Sequence, residues 1–172
     1  MDYLNDDIFV EIFKYIPNIK KLINFSLTSK TNLDYFKRNI KRLTIIIDKC
    51  DRFTDISLKM FKNCNKIKIH NCKNITDAAL KYLSQAKYVK LLTCFGITDN
   101  GLKYLSNCKK IELNMCRITN DGIKYIINCQ IIRLVFLTQL TPDILDILND
   151  CKNIELYFCG HMLNPINYKN KK

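Results

Sequence analysis

The chain has 172 residues, of which 48% are hydrophobic and 26% charged, with a formal net charge of +12 and a pI near 9.3. That length suits one elongated unit rather than two large domains, and no apolar run approaches the roughly 18 residues needed to span a membrane. The charge invites a nucleic-acid reading, but only five of the 28 basic residues are arginine, the lysines are scattered, and no motif that reads DNA or RNA is present, so a solvated lysine-rich surface favouring acidic partners is the better reading and nucleic-acid binding the weaker one.

Residues 1–41 read as three short helices. Leu4, Ile8, Ile12, Phe13 and Ile16 share one helical stripe, with Asn5, Asp6 and Asp7 at its start and Pro17 at its end. Ile19, Leu22, Ile23, Phe25 and Leu27 form a second apolar group. Ser29 or Thr31 caps a third helix through Leu33 and Phe36. So little chain buries little surface alone, so this segment requires a partner, the rest of the protein, or both.

From residue 42 a repeat takes over. One column holds Cys50, Cys72, Cys94, Cys116 and Cys159, with Leu137 in the gap; another holds Cys64, Cys108, Cys129 and Cys151, with Ala86 as the exception. Steps are 21 or 22 residues. In the same phase run Ile45, Ile67, Val89, Ile111, Ile132 and Ile154, and two residues on, Ile47, Ile69, Leu91, Leu113, Leu134 and Leu156. Apolar residues two apart predict a strand with one buried face. Thr54, Thr76, Thr98, Thr119 and Thr141 follow as N-caps. Asp55, Asp77, Asp99, Asn120 and Pro142 stand at the first helical position. Leu58, Leu80, Leu102, Ile123 and Leu145, then Phe61, Leu83, Leu105, Ile126 and Leu148, give each short helix its apolar face. Each unit is therefore strand, turn, capped helix.

The cysteines have a bland reading and several sharper ones. Nine is an odd count for a disulfide framework, and the start MDYLNDDIF lacks the basic flank of a signal peptide. No CxxC pair occurs, and the only histidines are His70 and His161, so no metal site is expected. The thiols are expected to be small, reduced, buried residues lining a stacked core. That implies a reducing compartment, cytoplasm or nucleus. Abundant Lys, Asn, Ile and Tyr beside scarce Ala and Gly suggest an AT-rich genome, a protist or a large DNA virus, in which case the compartment is the host cytoplasm. The chain contains no GxSxG, HExxH or GxxxxGK[ST], so neither catalysis nor a cofactor is expected.

A period in the low twenties with this pattern marks a solenoid. The units CKNITDAALKYLSQA and CFGITDNGLKYLSNC resemble the cysteine-containing class of leucine-rich repeats, over about five units and a partial sixth within residues 42–172. The resemblance implies an α/β solenoid with parallel strands on the concave face and short helices on the convex face. Upstream, LNDDIFVEIFKYIPNIKKLINFSLTSK resembles the F-box motif through Leu4, Asp7, Ile8, Ile12, Phe13, Ile16, Leu22, Leu27, Ser29 and Lys30. It departs from the motif at Asn5, where proline is usual, at Thr28, where valine is usual, and in lacking tryptophan. The pairing resembles F-box/leucine-rich-repeat proteins. It implies a substrate receptor of a cullin ubiquitin ligase, with Leu4, Ile8, Ile12, Phe13, Ile16 and Leu22 docking a Skp-type adaptor and the repeats holding a target protein. A plain helical cap over the first repeat, in a stand-alone binding scaffold, is the alternative.

The register also names the outward residues. Ile46, Lys68, Lys90, Glu112, Arg133 and Glu155 alternate with the buried columns, as do Asp48, His70, Leu92, Asn114, Val135 and Tyr157. From Lys68 and His70 onward these are the predicted target-binding positions, with Leu92 and Tyr157 expected to be exposed. Phe136 and Phe158 are expected to turn inward. At the C-terminus, CGHMLNPINYKNKK starts a unit that it does not complete, so the tail, through Ile166 and Tyr168, or another chain must cover the open end.

Overall fold

The computed structural model describes residues 28–48, 53–149, 151, 153–157, 159 and 168–169. It opens with helix α1 (Lys30–Asn39) and a 3-10 turn (Ile40–Arg42). Six parallel strands follow, β1 (Thr44–Asp48), β2 (Lys66–His70), β3 (Tyr88–Leu92), β4 (Lys110–Asn114), β5 (Ile131–Val135) and β6 (Ile154–Tyr157), hydrogen-bonded in chain order. Between them lie single helical turns: a 3-10 segment (Asp55–Phe61), α2 (Asp77–Leu80), α3 (Asp99–Leu102), α4 (Asn120–Ile123) and α5 (Ile144–Leu148). This is the predicted α/β repeat with a parallel sheet. A two-residue strand β7 (Tyr168–Lys169) adds antiparallel to β6, pairing with Glu155 and Leu156, so the tail's backbone closes that sheet edge.

The register follows the predicted columns. Ile45 pairs with Ile67, then Val89, Ile111, Ile132 and Ile154, and Ile47 leads the matching row to Leu156. All twelve side chains are buried. At about 1.5–3 kcal/mol per fully buried aliphatic side chain, these rows supply much of the drive to stack. A third buried column, Ile75, Ile97, Ile118 and Leu140, fills the space just before each threonine. The last helix departs from the predicted pattern. Ile144 and Leu148 are buried there while Leu145 is only half-buried, one residue out of the phase kept by Leu58, Leu80, Leu102 and Ile123.

The open N-terminal end of the stack is covered by α1. Ser29 caps it, its Oγ accepting from the Asn32 N–H at 3.1 Å. Phe36, fully buried, meets Phe61 edge-on with ring centroids 6.3 Å apart, and Phe53 stacks on the other side of Phe61 at 6.2 Å. Leu33 of this helix is half-buried. The predicted adaptor contacts Leu4, Ile8, Ile12, Phe13, Ile16 and Leu22 lie outside the described residues, as do Cys50, Phe158 and Ile166.

The eight described cysteines are buried, and no two of them are joined in a disulfide. Cys72, Cys94, Cys116 and Cys159 each donate S–H to the carbonyl two residues earlier, at 3.3–3.5 Å. Cys108 and Cys151 reach back across the stack to Ala86 O and Ile127 O. Sulfur thus fills a small apolar slot and partners a carbonyl at the turn. Burial pushes the thiols of Cys64, Cys94 and Cys108 up to about 12 and that of Cys129 to about 11, so none is a ready nucleophile.

Each helix is tied to the next by its first residue. The Thr76 N–H and hydroxyl donate to the two oxygens of Asp55 at 2.7 and 2.6 Å. Thr98 does the same to Asp77, and Thr119 to Asp99. At the next step Asn120 takes over: its Oδ1 accepts from the Thr141 N–H at 3.1 Å, and its Nδ2 donates to the Thr141 hydroxyl at 2.7 Å. The recurring Thr-Asp pair is therefore more than a cap. It is a ladder of charge-assisted hydrogen bonds running between units.

Candidate functional site

The sheet face brings the predicted binding residues together in two rows. Lys68, Lys90, Glu112, Arg133 and Glu155 pair across strands in one row, and His70, Leu92, Asn114, Val135 and Tyr157 in the other. Nine of the ten are half-buried. Leu92 and Tyr157, predicted exposed, are thus partly covered by their neighbours.

Glu112 departs furthest from its predicted place on an open face, being only 5% exposed. Lys110 approaches its carboxylate at 2.9 Å, Lys90 at 3.3 Å and Arg133 at 3.5 Å. The Tyr88 hydroxyl also lies beside it. Burial by itself raises the Glu112 carboxyl, but the Lys110, Tyr88 and Arg133 contacts outweigh it and hold the group below its usual range. Arg133 continues the network, its Nε donating to Glu155 Oε2 at 2.6 Å, where Tyr157 joins at 3.4 Å. Burial pushes the Tyr88 phenol up to about 12, with the Glu112 charge adding to it, so Tyr88 stays a donor. Glu112 is thus an anchor that sets three cations in place, and those cations are more exposed than the carboxylate they surround. Lys68, one strand over, has no ion pair among the described residues, so the face as a whole is positive.

His70 and Asn114 flank Leu92 in the second row. His70 Nε2 and Asn114 Oδ1 are both buried and lack a hydrogen-bond partner among the described residues. Burial lowers the His70 pKa, which keeps the ring neutral near pH 7. Among the described residues no group of three or more His, Cys, Asp or Glu side chains is placed to hold a metal, and no helix is long and apolar enough to cross a membrane.

Beyond the sheet face lies a surface the sequence reading missed. Each of β2 to β5 is followed at once by a residue with left-handed backbone: Asn71 (φ 52°), Thr93 (φ 54°), Met115 (φ 51°) and Phe136 (φ 50°). Each donates its N–H to the last residue of the next strand: Asn71 to Leu92 O, Thr93 to Asn114 O, Met115 to Val135 O and Phe136 to Tyr157 O. The ladder holds the bend, and the bend throws the side chain outward. Phe136, expected to turn inward, is 46% exposed for this reason; Met115 is 47% and Phe95 49% exposed. With Arg117, Thr138 and Gln139 they line a groove of about 390 Å³. In the sequence these are the positions just before Cys72, Cys94, Cys116 and Leu137, where Asn, Thr, Met and Phe share no residue type.

No protein-family model matches the chain, and no curated protein matches it. The functional reading therefore rests on the residues and their geometry.

Proposed function

We propose that this chain is a leucine-rich-repeat protein of the cysteine-containing class that acts as the substrate-recognition subunit of a Skp–cullin–F-box-type ubiquitin ligase. It performs no chemistry itself. The repeat face binds a target protein, and the F-box-like segment docks a Skp-type adaptor through Leu4, Ile8, Ile12, Phe13, Ile16 and Leu22. The observation that carries the recognition half is the parallel sheet, whose ten outward residues stand in register with a positive, aromatic-edged face. Backbone pairing and buried rows hold such a face rigid, which limits the entropy lost on binding. The adaptor half rests on the sequence LNDDIFVEIFKYIPNIKKLINFSLTSK, which leads directly into α1 and the first strand. The contribution to ubiquitin transfer is proximity: two tethered binding events raise the effective concentration of target at the ligase.

A second reading is favoured by Phe36, whose full burial against Phe61 gives the end of the N-terminal segment a capping role that needs no adaptor. The chain would then be a stand-alone protein-binding scaffold. Pull-down with a eukaryotic Skp-type adaptor separates the two. Adaptor capture that is lost in the Ile8→Asp/Ile12→Asp double variant supports the ligase receptor. No capture, or capture indifferent to those changes, with a folded repeat region, leaves the scaffold.

A further inference from the structure

The exit turns of β3, β4 and β5 form a surface separate from the sheet face. Phe95, Met115 and Phe136 each keep close to half of their area in water. Left-handed backbone costs a non-glycine residue about 1–2 kcal/mol, and it is cheapest for Gly or Asn. Only Asn71 uses the cheap solution. At 115 and 136 a large apolar side chain stands at a position of left-handed backbone and keeps close to half of its area in water, where backbone preference does not call for it. Exposed apolar groups gathered around a groove, on backbone strain, are the marks of a recognition site.

The surroundings fix the chemistry of the occupant. Arg117 lies over the Phe95 ring at 5.9 Å, so its guanidinium sits on the rim of the apolar groove. The segments 70–73, 92–95, 114–117 and 135–139 contain Lys73 and Arg117 but no Asp or Glu. We propose that this exit edge is a docking groove for an extended peptide segment of a partner protein, one that carries an apolar or aromatic anchor flanked by acidic residues. The anchor lies among Phe95, Met115 and Phe136, and a neighbouring carboxylate takes Arg117. The groove does not depend on the adaptor reading, since it lies on the repeats.

The test uses the full chain, immobilised and panned against a phage-displayed library of random 12-residue peptides. Enrichment of peptides that join an apolar residue to Asp or Glu is expected. The best such peptide, synthesised and labelled, should lose on the order of tenfold or more in affinity for Phe95→Ser, Phe136→Ser and Arg117→Glu, and keep its affinity for Lys68→Glu on the sheet face. No enrichment, enrichment of basic or uncharged peptides, or binding that survives both Phe95→Ser and Arg117→Glu overturns the proposal. Loss of binding in Lys68→Glu alone overturns it too, by placing the peptide on the sheet face. If Phe136→Ser does not fold, Met115→Lys takes its place, with circular dichroism and thermal melting to show that the variant is native. Adaptor capture in the Ile8→Asp/Ile12→Asp experiment is read separately, so failure of either reading leaves the other standing.

Discussion

Two rows of residues four or five positions apart in each unit follow opposite rules. The helix-start row repeats its chemistry: Asp55 to Thr76, Asp77 to Thr98, Asp99 to Thr119, with Asn120 to Thr141 as a neutral version. Each donor and acceptor named there is met by the next unit. The strand-exit row repeats only its backbone. Its side chains are Asn71, Thr93, Met115 and Phe136, all with positive φ, and the apolar ones face solvent. Positions that stack keep their residue type, whereas the strand-exit positions vary, even at the cost of strain.

The largest effect that would probe this contrast concerns the cysteines, which belong with the repeating rows. With the Cys94 and Cys108 thiols pushed up to about 12 from an ordinary 9, their thiolate fraction at pH 8 falls roughly a thousandfold. A thiol reagent followed by mass mapping should leave the eight described cysteines unmodified in the native protein and label them after denaturation. Rapid native labelling of Cys94 or Cys108 would mean that these columns are not core.

The next test is on the ladder. Asp77→Ala removes two charge-assisted bonds and strands the Thr98 N–H. It should destabilise the protein by about 2–3 kcal/mol. Asp77→Asn should cost clearly less, because Asn120 already joins the same two groups of Thr141, accepting from its N–H and donating to its hydroxyl. Denaturant melts of the pair decide it. Equal losses would show that charge, rather than hydrogen-bond geometry, holds the units together.

How far the sequence could go is explained by the same contrast. The strand rows, the cysteine columns and the Thr-Asp pair were legible because stacking repeats them in phase. The burial of Glu112 was not. Alternation places residue 112 outward, but it cannot say that Lys90, Lys110 and Arg133 fold over it from two neighbouring strands and its own. Phe95 and Met115 escaped notice, and Phe136 was expected inside, for another reason. Apolar residues are expected inside, and only the positive φ of residues 115 and 136 sends those two side chains out.

Glu112 supplies a smaller, pH-dependent test. Glu112→Gln leaves three cations crowded without their counter-charge. Because those cations are each about a third exposed (31%, 32% and 36%), solvent screens the loss to about 1–2 kcal/mol at pH 7. The Glu112 pKa is lower in the folded protein than its usual value, so the carboxylate stabilises above the ordinary Glu range and that stability is lost as pH falls through the folded pKa. The melting temperatures of the two proteins should differ at pH 7 and converge in acid, below the ordinary Glu pKa. A gap that persists undiminished there would locate the effect in packing instead of charge.

The smallest expected change returns to the exit row. Phe136→Asn places a residue tolerant of left-handed backbone where phenylalanine now bends outward at φ 50°. The Phe136 side chain is 46% exposed, so just over half of its area is covered, and the burial lost offsets the strain relieved. Stability should change by no more than about 1 kcal/mol, a shift of up to roughly 4 °C in melting temperature for a chain of this size. Peptide binding at the groove should fall in the same variant. Recognition lost while stability is held is the outcome that separates a side chain retained for a partner from one retained for the fold. If Phe136→Asn instead destabilises by more than about 1 kcal/mol, the ring is packing material, and the exit row follows the same rule as the ladder four or five residues away.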